Sequence, residues 1–267
     1  MRIATWNVNS LRARMPRVLA WLQQKRPEVC CLQETKCSPA QFAAEEFTKA
    51  GYEAAHHGNN HWNGVAILSR AGLHSVQRSF GNKVLDREPR IIAATCANTR
   101  IYSIYAPNGR ALDDPHYQYK LQWFTALRDH LSEVLDDPNL PSGGLLLTGD
   151  FNVAPADFDV YDPVRWQGRT HVSPPERDAL AKLTGLGLQD LARSHHPHTP
   201  LYTWWSYRRD MAATDRGLRI DLLLGCARVA TRTQEVWVDR EERITKGASD
   251  HAPLGADFAD SPSPQTP

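Results

Sequence analysis

Cysteine is scarce: the 267 residues contain five, an odd number. No Cys/His spacing has the form of a zinc site, and Cys30 and Cys31 stand side by side in an apolar, strand-like run. Such residues behave as small buried hydrophobes of a reducing compartment rather than as a disulfide framework. Charge of one sign is also lacking. Lys and Arg total 31 against 30 Asp and Glu, a formal net charge of +1, which excludes a polybasic nucleic-acid coat. A basic face is still possible, because binding follows local charge rather than the sum. No apolar run approaches membrane-spanning length, and Met1–Trp6 carries no signal-peptide core. The expectation is a soluble, cytoplasmic protein with no membrane partner. There is no short-period repeat.

What the chain does have is an alternation of strand-like and helix-like segments with 41% hydrophobic residues, enough for a sizeable α/β core. Residues 2–8 read as a strand. Helical spacing of Leu11, Met15, Val18, Leu19 and Leu22 predicts a helix over 11–24, with Ser10 as its N-cap. Residues 28–32 form a second strand and 39–50 a second helix. Shorter strands follow at 64–68, 90–95 and 101–106, then an aromatic-rich helix over 117–135. Residues 136–143 are the clearest loop. Beyond it lie a strand at 144–149, a helix near 176–186 and strands near 219–225 and 251–258. Two halves joined at 136–143 predict a layered sandwich, with two mostly antiparallel sheets face to face and helices outside. The last residues, 259–267, read as a disordered tail.

Polar residues collect at the strand ends, where loops carry function. The most informative stretch is Gly149-Asp150-Phe151-Asn152, after the apolar run Gly144–Thr148. Gly149 would let the strand turn tightly. Asp150 and Asn152, two apart in an extended segment, would lean to one face. An acid that takes a proton beside an amide that orients water is a hydrolytic pairing. The same residues are also usual in an Asx turn. Asn7, Asn9, Glu34, Asp221 and Asp250-His251 stand at other strand ends. Were they to converge, their carboxylates would need a counter-charge. Oxygen ligands without thiolate point to Mg²⁺, with Mn²⁺ as substitute, and to Glu34 as the ligand beside Asp250 and Asn9. Asp221 is a lone charge in an apolar run and needs a partner, for which His251 is the natural choice. Tyr105, Asn108 and Arg110 are phosphate-contacting types on a Pro-Asn-Gly turn. Thr203–Arg209 mixes aromatics with a basic pair, suited either to nucleic acid or, for Trp205 and Tyr207, to the core.

Seven motifs in order resemble the exonuclease III family of apurinic/apyrimidinic (AP) endonucleases. They are residues 5–12, Leu32-Gln33-Glu34-Thr35-Lys36, Asn63–Ile67, Tyr105-Ala106-Pro107-Asn108-Gly109, Gly149–Ala154, Gly217–Asp221 and Ser249-Asp250-His251-Ala252-Pro253. The match covers roughly residues 1–258, read as a single domain. The resemblance implies a four-layer α/β sandwich of the DNase I-like type. It also implies Mg²⁺-dependent phosphodiester hydrolysis on duplex DNA with AP sites, nicks, gaps or blocked 3′ ends; nothing in the sequence suggests an obligate oligomer, and a monomer is expected. By the same resemblance Glu34 holds the metal with Asp250 and Asn9, and Asp150 handles the attacking water with Asn152 and Asn7. His251, oriented by Asp221, binds the scissile phosphate; Tyr105 and Asn108 grip it; Trp204 lines the sugar pocket. Two positions depart from the family pattern. Residue 9 is Asn where some branches carry Asp. His171 stands in a loop where many relatives have a small residue; it reads either as an obstruction that favours 3′ termini over internal AP sites or as a surface loop histidine that makes no difference. Other phosphodiesterases of this fold, acting on lipid head groups, inositol phosphates or RNA tails, are the enzymatic alternative. A catalytically dead RNA- or protein-binding regulator is the other, and it would lack the acids and His251 that are present here.

Overall fold

The computed structural model describes residues 1–60, 62–208 and 211–259. Its strands are β1 (Arg2–Asn7), β2 (Val29–Gln33), β3 (Glu53–His57), β4 (Val65–Ser69), β5 (His74–Gln77), β6 (Ile91–Cys96), β7 (Thr99–Tyr105), β8 (Leu145–Asp150), β9 (Gln189–Asp190), β10 (Asp221–Gly225), β11 (Thr233–Val238) and β12 (Leu254–Phe258). The helices are α1 (Leu11–Lys25), α2 (Ala44–Lys49), α3 (Pro115–Asp136), α4 (Pro163–Trp166), α5 (Pro174–Thr184), α6 (Leu191–His195), α7 (Ala227–Ala230) and α8 (Glu241–Ile244). Two six-stranded sheets have the orders β11-β12-β1-β2-β4-β3 and β5-β6-β7-β8-β10-β9. Each has one parallel pair at its centre, β1 with β2 and β7 with β8; the other neighbours are antiparallel. Parallel neighbours need a crossover, supplied by α1 in one sheet and α3 in the other.

The sheets face each other with helices outside, the expected α/β sandwich. The division of the chain differs from the expected halves, however. The first sheet takes strands from both chain ends, and the second takes the middle. The loop at 136–143 is therefore part of the β7-α3-β8 crossover within one sheet, not a joint between two layers.

The period-2 alternation of β2 shows why its apolar run is continuous. Cys31 and Val29 enter the core between the sheets, while Cys30 and Leu32 face outward under α1 and α2 with Trp6, Trp21 and Phe47. A strand covered on both faces has no polar face. All five cysteines are buried and free. The expected second helix begins later: residues 39–41 form a single tight turn and α2 starts at Ala44. Ser10 precedes α1, but its side chain caps nothing. The N–H groups of Ser10 and Leu11 bond instead to the carbonyls of Glu34 (2.8 Å) and Thr35 (3.1 Å). The helix start is thus tied to the loop that carries Glu34, and backbone oxygen replaces the side-chain cap. Among the described residues no helix is long and apolar enough to cross a membrane. Of the expected tail, Ala259 still bonds the Arg232 carbonyl at 2.8 Å; residues 260–267 lie outside the described residues, as does Arg209.

Candidate active site

The C-terminal ends of both parallel strand pairs lie at one edge of the sandwich. β1 ends in Asn7, β2 leads to Glu34, β7 ends in Tyr105 and β8 in Asp150. The antiparallel neighbour β10 starts at this edge with Asp221, which pairs with Asp150 across the ladder. His251, just before β12, bridges to Trp204.

Asn7 links the two sheets. Its Nδ2 donates to Glu34 Oε1 and to Asp150 Oδ2, both at 2.9 Å. Donor oxygens of Glu34 and Asp150 and a ring nitrogen of His251 lie within 4.8 Å of one another. The turn after β8 is not extended. Asn152 has φ 53, and its N–H donates to Asp150 Oδ1 at 2.8 Å. The Asx contact and the hydrolytic pairing are thus the same structure. Gly149 lies within the strand rather than at the turn. Its φ is 141, and a Cβ there would come 2.0 Å from the Ile104 carbonyl oxygen, so glycine serves close strand approach.

Asp221 Oδ2 pairs with His251 Nδ1 at 2.8 Å, and Asp150 Oδ2 lies 3.7 Å from Nε2. Burial opposes charge on this imidazole, but Asp221 and Asp150 outweigh it and raise the pKa to about 10. The ring is therefore an imidazolium. Burial, assisted by Asp221, raises Asp150 to about 7 even though His251 and Asn7 pull the other way. Burial and then Glu34 push the Tyr105 phenol well up, keeping it a neutral donor. The Tyr105 ring rests under the Arg90 guanidinium, 4.9 Å from centroid to Cζ.

Asn9 and Asp250 stand one hydrogen bond apart (2.9 Å), and Asp250 also accepts from Trp204 Nε1 at 3.1 Å. They reach Glu34 through Lys36, whose Nζ lies 2.6 Å from Asn9 Oδ1 and 2.7 Å from Glu34 Oε2. Lys36 was part of a motif but had no expected role; nothing local marks it as the counter-charge. Ser249 and Thr203 likewise stand in named stretches without an expected role. Ser249 Oγ donates to the Asn7 carbonyl at 2.6 Å, and Thr203 Oγ1 accepts from the Asp221 N–H at 3.1 Å.

Asn108 joins the site, with Nδ2 3.2 Å from Asn152 Oδ1. His171 is not a surface loop histidine: it is buried, with Nδ1 2.6 Å from the Asn152 carbonyl and Nε2 3.5 Å from Asn108 Nδ2. Its ring continues into an aromatic wall, 6.1 Å from Trp166, which meets Trp204 edge-on at 6.1 Å. Trp205 is core, whereas Tyr207 is 53% exposed. A cavity of about 600 Å³ borders this wall, with Asn108, Arg110, Trp166, Arg169 and His171 among its lining residues.

Comparison with known proteins matches residues 4–251 to the Endonuclease/Exonuclease/phosphatase family. The chain is similar to exodeoxyribonuclease III of Haemophilus influenzae, 30% identical over 97% of this chain and 100% of the relative. It is also similar to a solved structure described as the 3′ phosphatase NExo from Neisseria bound to product DNA hairpin. That likeness has a TM-score of 0.93 and 40% identity over 97% of this chain and 99% of the other. An AP endonuclease from Archaeoglobus fulgidus gives a TM-score of 0.92 at 33% identity, over 97% and 99% of the two chains.

Proposed function

We propose, because this chain belongs to the Endonuclease/Exonuclease/phosphatase family and is a DNA-repair nuclease of the exonuclease III type, that it is a Mg²⁺-dependent, monomeric phosphoesterase that prefers 3′-blocked ends of duplex DNA. Hydrolysis of a phosphate ester needs an in-line water, neutralised non-bridging oxygens and relief of charge on the leaving oxygen. Asp150, titrating near neutrality, takes the proton of that water. Its two oxygens are held by Asn7 and by the Asn152 N–H. The His251 imidazolium, held by Asp221, faces a phosphate oxygen, and the neutral Tyr105 phenol and Asn108 amide donate to the same group.

The site suits a hard divalent cation. Glu34 and Asp150 offer oxygens within 4.8 Å, and Asp221 Oδ1 is buried without a hydrogen-bond partner, so negative charge is in excess. Glu34 would hold the ion, with Asp150 beside it and Asp250 and Asn9 on the Lys36 side. Bound there, Mg²⁺ would supply Lewis-acid neutralisation of the phosphate and of the leaving 3′ oxygen.

The observation that carries the terminal preference is His171. Its buried ring touches Asn108 and Asn152 and extends the Trp204–Trp166 wall; on this reading it obstructs the path of a continuous strand. The likeness to a protein described as a 3′ phosphatase supports this reading; the likeness to an AP endonuclease favours the second, a general AP endonuclease. A gel assay with Mg²⁺ and with EDTA separates them, using one duplex with an internal AP-site analogue and one with a gap ending in a 3′ phosphate. The expected result is Mg²⁺-dependent phosphate removal with little internal cutting. His171→Gly is expected to raise internal cutting relative to phosphate removal by about tenfold or more, the scale of one steric obstruction of about 1.4 kcal/mol. An unchanged ratio would sink the role of His171.

A further inference from the structure

Beneath the substrate-side turns lies an ion pair that takes no part in the chemistry described so far. Lys120 of α3 and Glu176 of α5 are both 0% exposed, and Lys120 Nζ meets Glu176 Oε1. Such a pair is a poor way to stabilise a fold, since desolvation cancels much of the attraction and apolar residues of similar volume serve as well. Its other bonds are what distinguish it. Lys120 Nζ donates to the carbonyls of Asn152 (2.7 Å) and Asn108 (3.3 Å). Glu176 Oε1 accepts from Thr170 Oγ1 (2.7 Å) and the His171 N–H (3.0 Å). Oε2 accepts from the Ser173 N–H (3.1 Å) and from Ser173 Oγ. One charge pair thereby ties together the turn after β7, the turn after β8 and the strap 170–173.

The same network decides the state of His171. A carbonyl only accepts, so the 2.6 Å contact with the Asn152 oxygen requires a proton on Nδ1. Nε2 is then a lone pair facing Asn108 Nδ2. Burial, followed by the Lys120 charge, holds the ring neutral and lowers its pKa to about 4.

We infer that the Lys120–Glu176 pair is a positioning device for the reaction, setting the spacing of Asn108, Asn152 and His171 and fixing His171 as the Nδ1-protonated imidazole. Neither residue touches substrate. The inference rests on the reading of these three residues as substrate-side groups.

The test replaces both partners, Lys120→Met with Glu176→Gln, which removes both charges and nearly conserves volume. Three readouts are taken on the whole protein: melting, ¹⁵N resonances of the His171 ring, and kcat and KM with Mg²⁺ on both duplexes named above. The expected variant melts cooperatively. Its His171 resonances average between tautomers, its kcat on the preferred duplex falls about 10- to 100-fold, and its KM stays within about threefold. Wild-type kcat, or His171 resonances still in one fixed tautomer, overturns the inference. Should the double variant fail to fold, Thr170→Val removes one tie and leaves the pair; it is expected to lower kcat in the same direction, and an unchanged kcat overturns the inference. Wild-type protein that cuts AP sites and leaves 3′ phosphates would defeat the terminal preference alone. The kcat on the AP-site duplex and the His171 resonances would then still decide the role of the pair.

Discussion

Replacing Asp150 with Asn separates what this carboxylate does for the reaction from what it does to the fold. Its pKa is raised from the ordinary 3.8 to about 7, with burial as the largest cause. An acid whose folded pKa lies above its unfolded value is more easily protonated in the fold. Its ionisation therefore costs stability: nothing below pH 3.8 and the full amount above about 7. At ~1.4 kcal/mol per pKa unit that amount is about 4 kcal/mol. Asn resembles the protonated form at every pH. The exchange is imperfect, because Oδ1 accepts from the Asn152 N–H and Oδ2 from Asn7 Nδ2, and an amide presents one oxygen only. That mismatch costs ~1–2 kcal/mol. The net gain at pH 8.5 is then ~2–3 kcal/mol, or roughly 5–10 °C in melting temperature for a chain of this size. The gain should fade as pH approaches 4, while kcat falls by ~10²- to 10⁴-fold as the proton acceptor is lost. Calorimetric melts of both proteins at pH 5 and 8.5, without added metal, test this. A variant that melts below the wild type at pH 8.5 would refute the reasoning, whatever its activity.

Three further outcomes follow from the same structure. The rate profile should be bell-shaped, since Asp150 must be ionised and His251 protonated: kcat/KM should rise with pH through about 7 and fall through about 10. Saturating Mg²⁺ should move the acid limb to lower pH, because a nearby cation favours the carboxylate; a flat acid limb in a stopped assay would contradict the role of Asp150. Gly149→Ala should give little soluble protein, since its Cβ would meet the Ile104 carbonyl at 2.0 Å with φ 141; wild-type yield and melting would count against it. Arg219→Met should lower stability by ~3–5 kcal/mol, because it strips Arg219 from the buried Asp159 carboxylate and from Asp190, contacts of 2.7 Å each. A urea titration with an unchanged midpoint would show the network to be dispensable.

The sequence made strand ends easier to read than the neighbours they meet. Asp221 announced its need for a partner as a single charge in Ile220–Leu224, and that partner is His251. Buried strands declared themselves as apolar runs, with Cys30 and Cys31 taking opposite faces as period 2 requires. The assignment of strands to sheets stayed hidden, because β12 joins β1 across almost the whole chain and no local pattern encodes that pairing. Lys120 was hidden for the same reason. Within α3 it reads as a solvated charge, and only the packing of α5 brings Glu176 to it. Glu176 carried a faint signal, as the acid three residues after Ser173, but this marks a helix start rather than a clamp under the site. His171 could be singled out in sequence, yet the buried position of its ring depends on Asn152 and Glu176, contacts made only in the fold.

The crowding of acids at one edge follows from the topology. A parallel pair at the centre of each sheet sends two strand C-termini to the same side, so β1, β2, β7 and β8 deliver Asn7, Glu34, Tyr105 and Asp150 together. The antiparallel neighbours arrive there by their N-terminal ends and add Asp221 and His251. Such a cluster would repel itself apart were each carboxylate not supplied by a different element: Asp221 by His251, Glu34 by Lys36, Asp150 by the Asn152 turn. Asn7 bridges the two sheets at this edge, donating to Glu34 and Asp150 at once. The spacing of the two carboxylates on which the proposed chemistry turns is therefore set by one neutral side chain. Asp in its place would turn a shared donor into a further repelling charge.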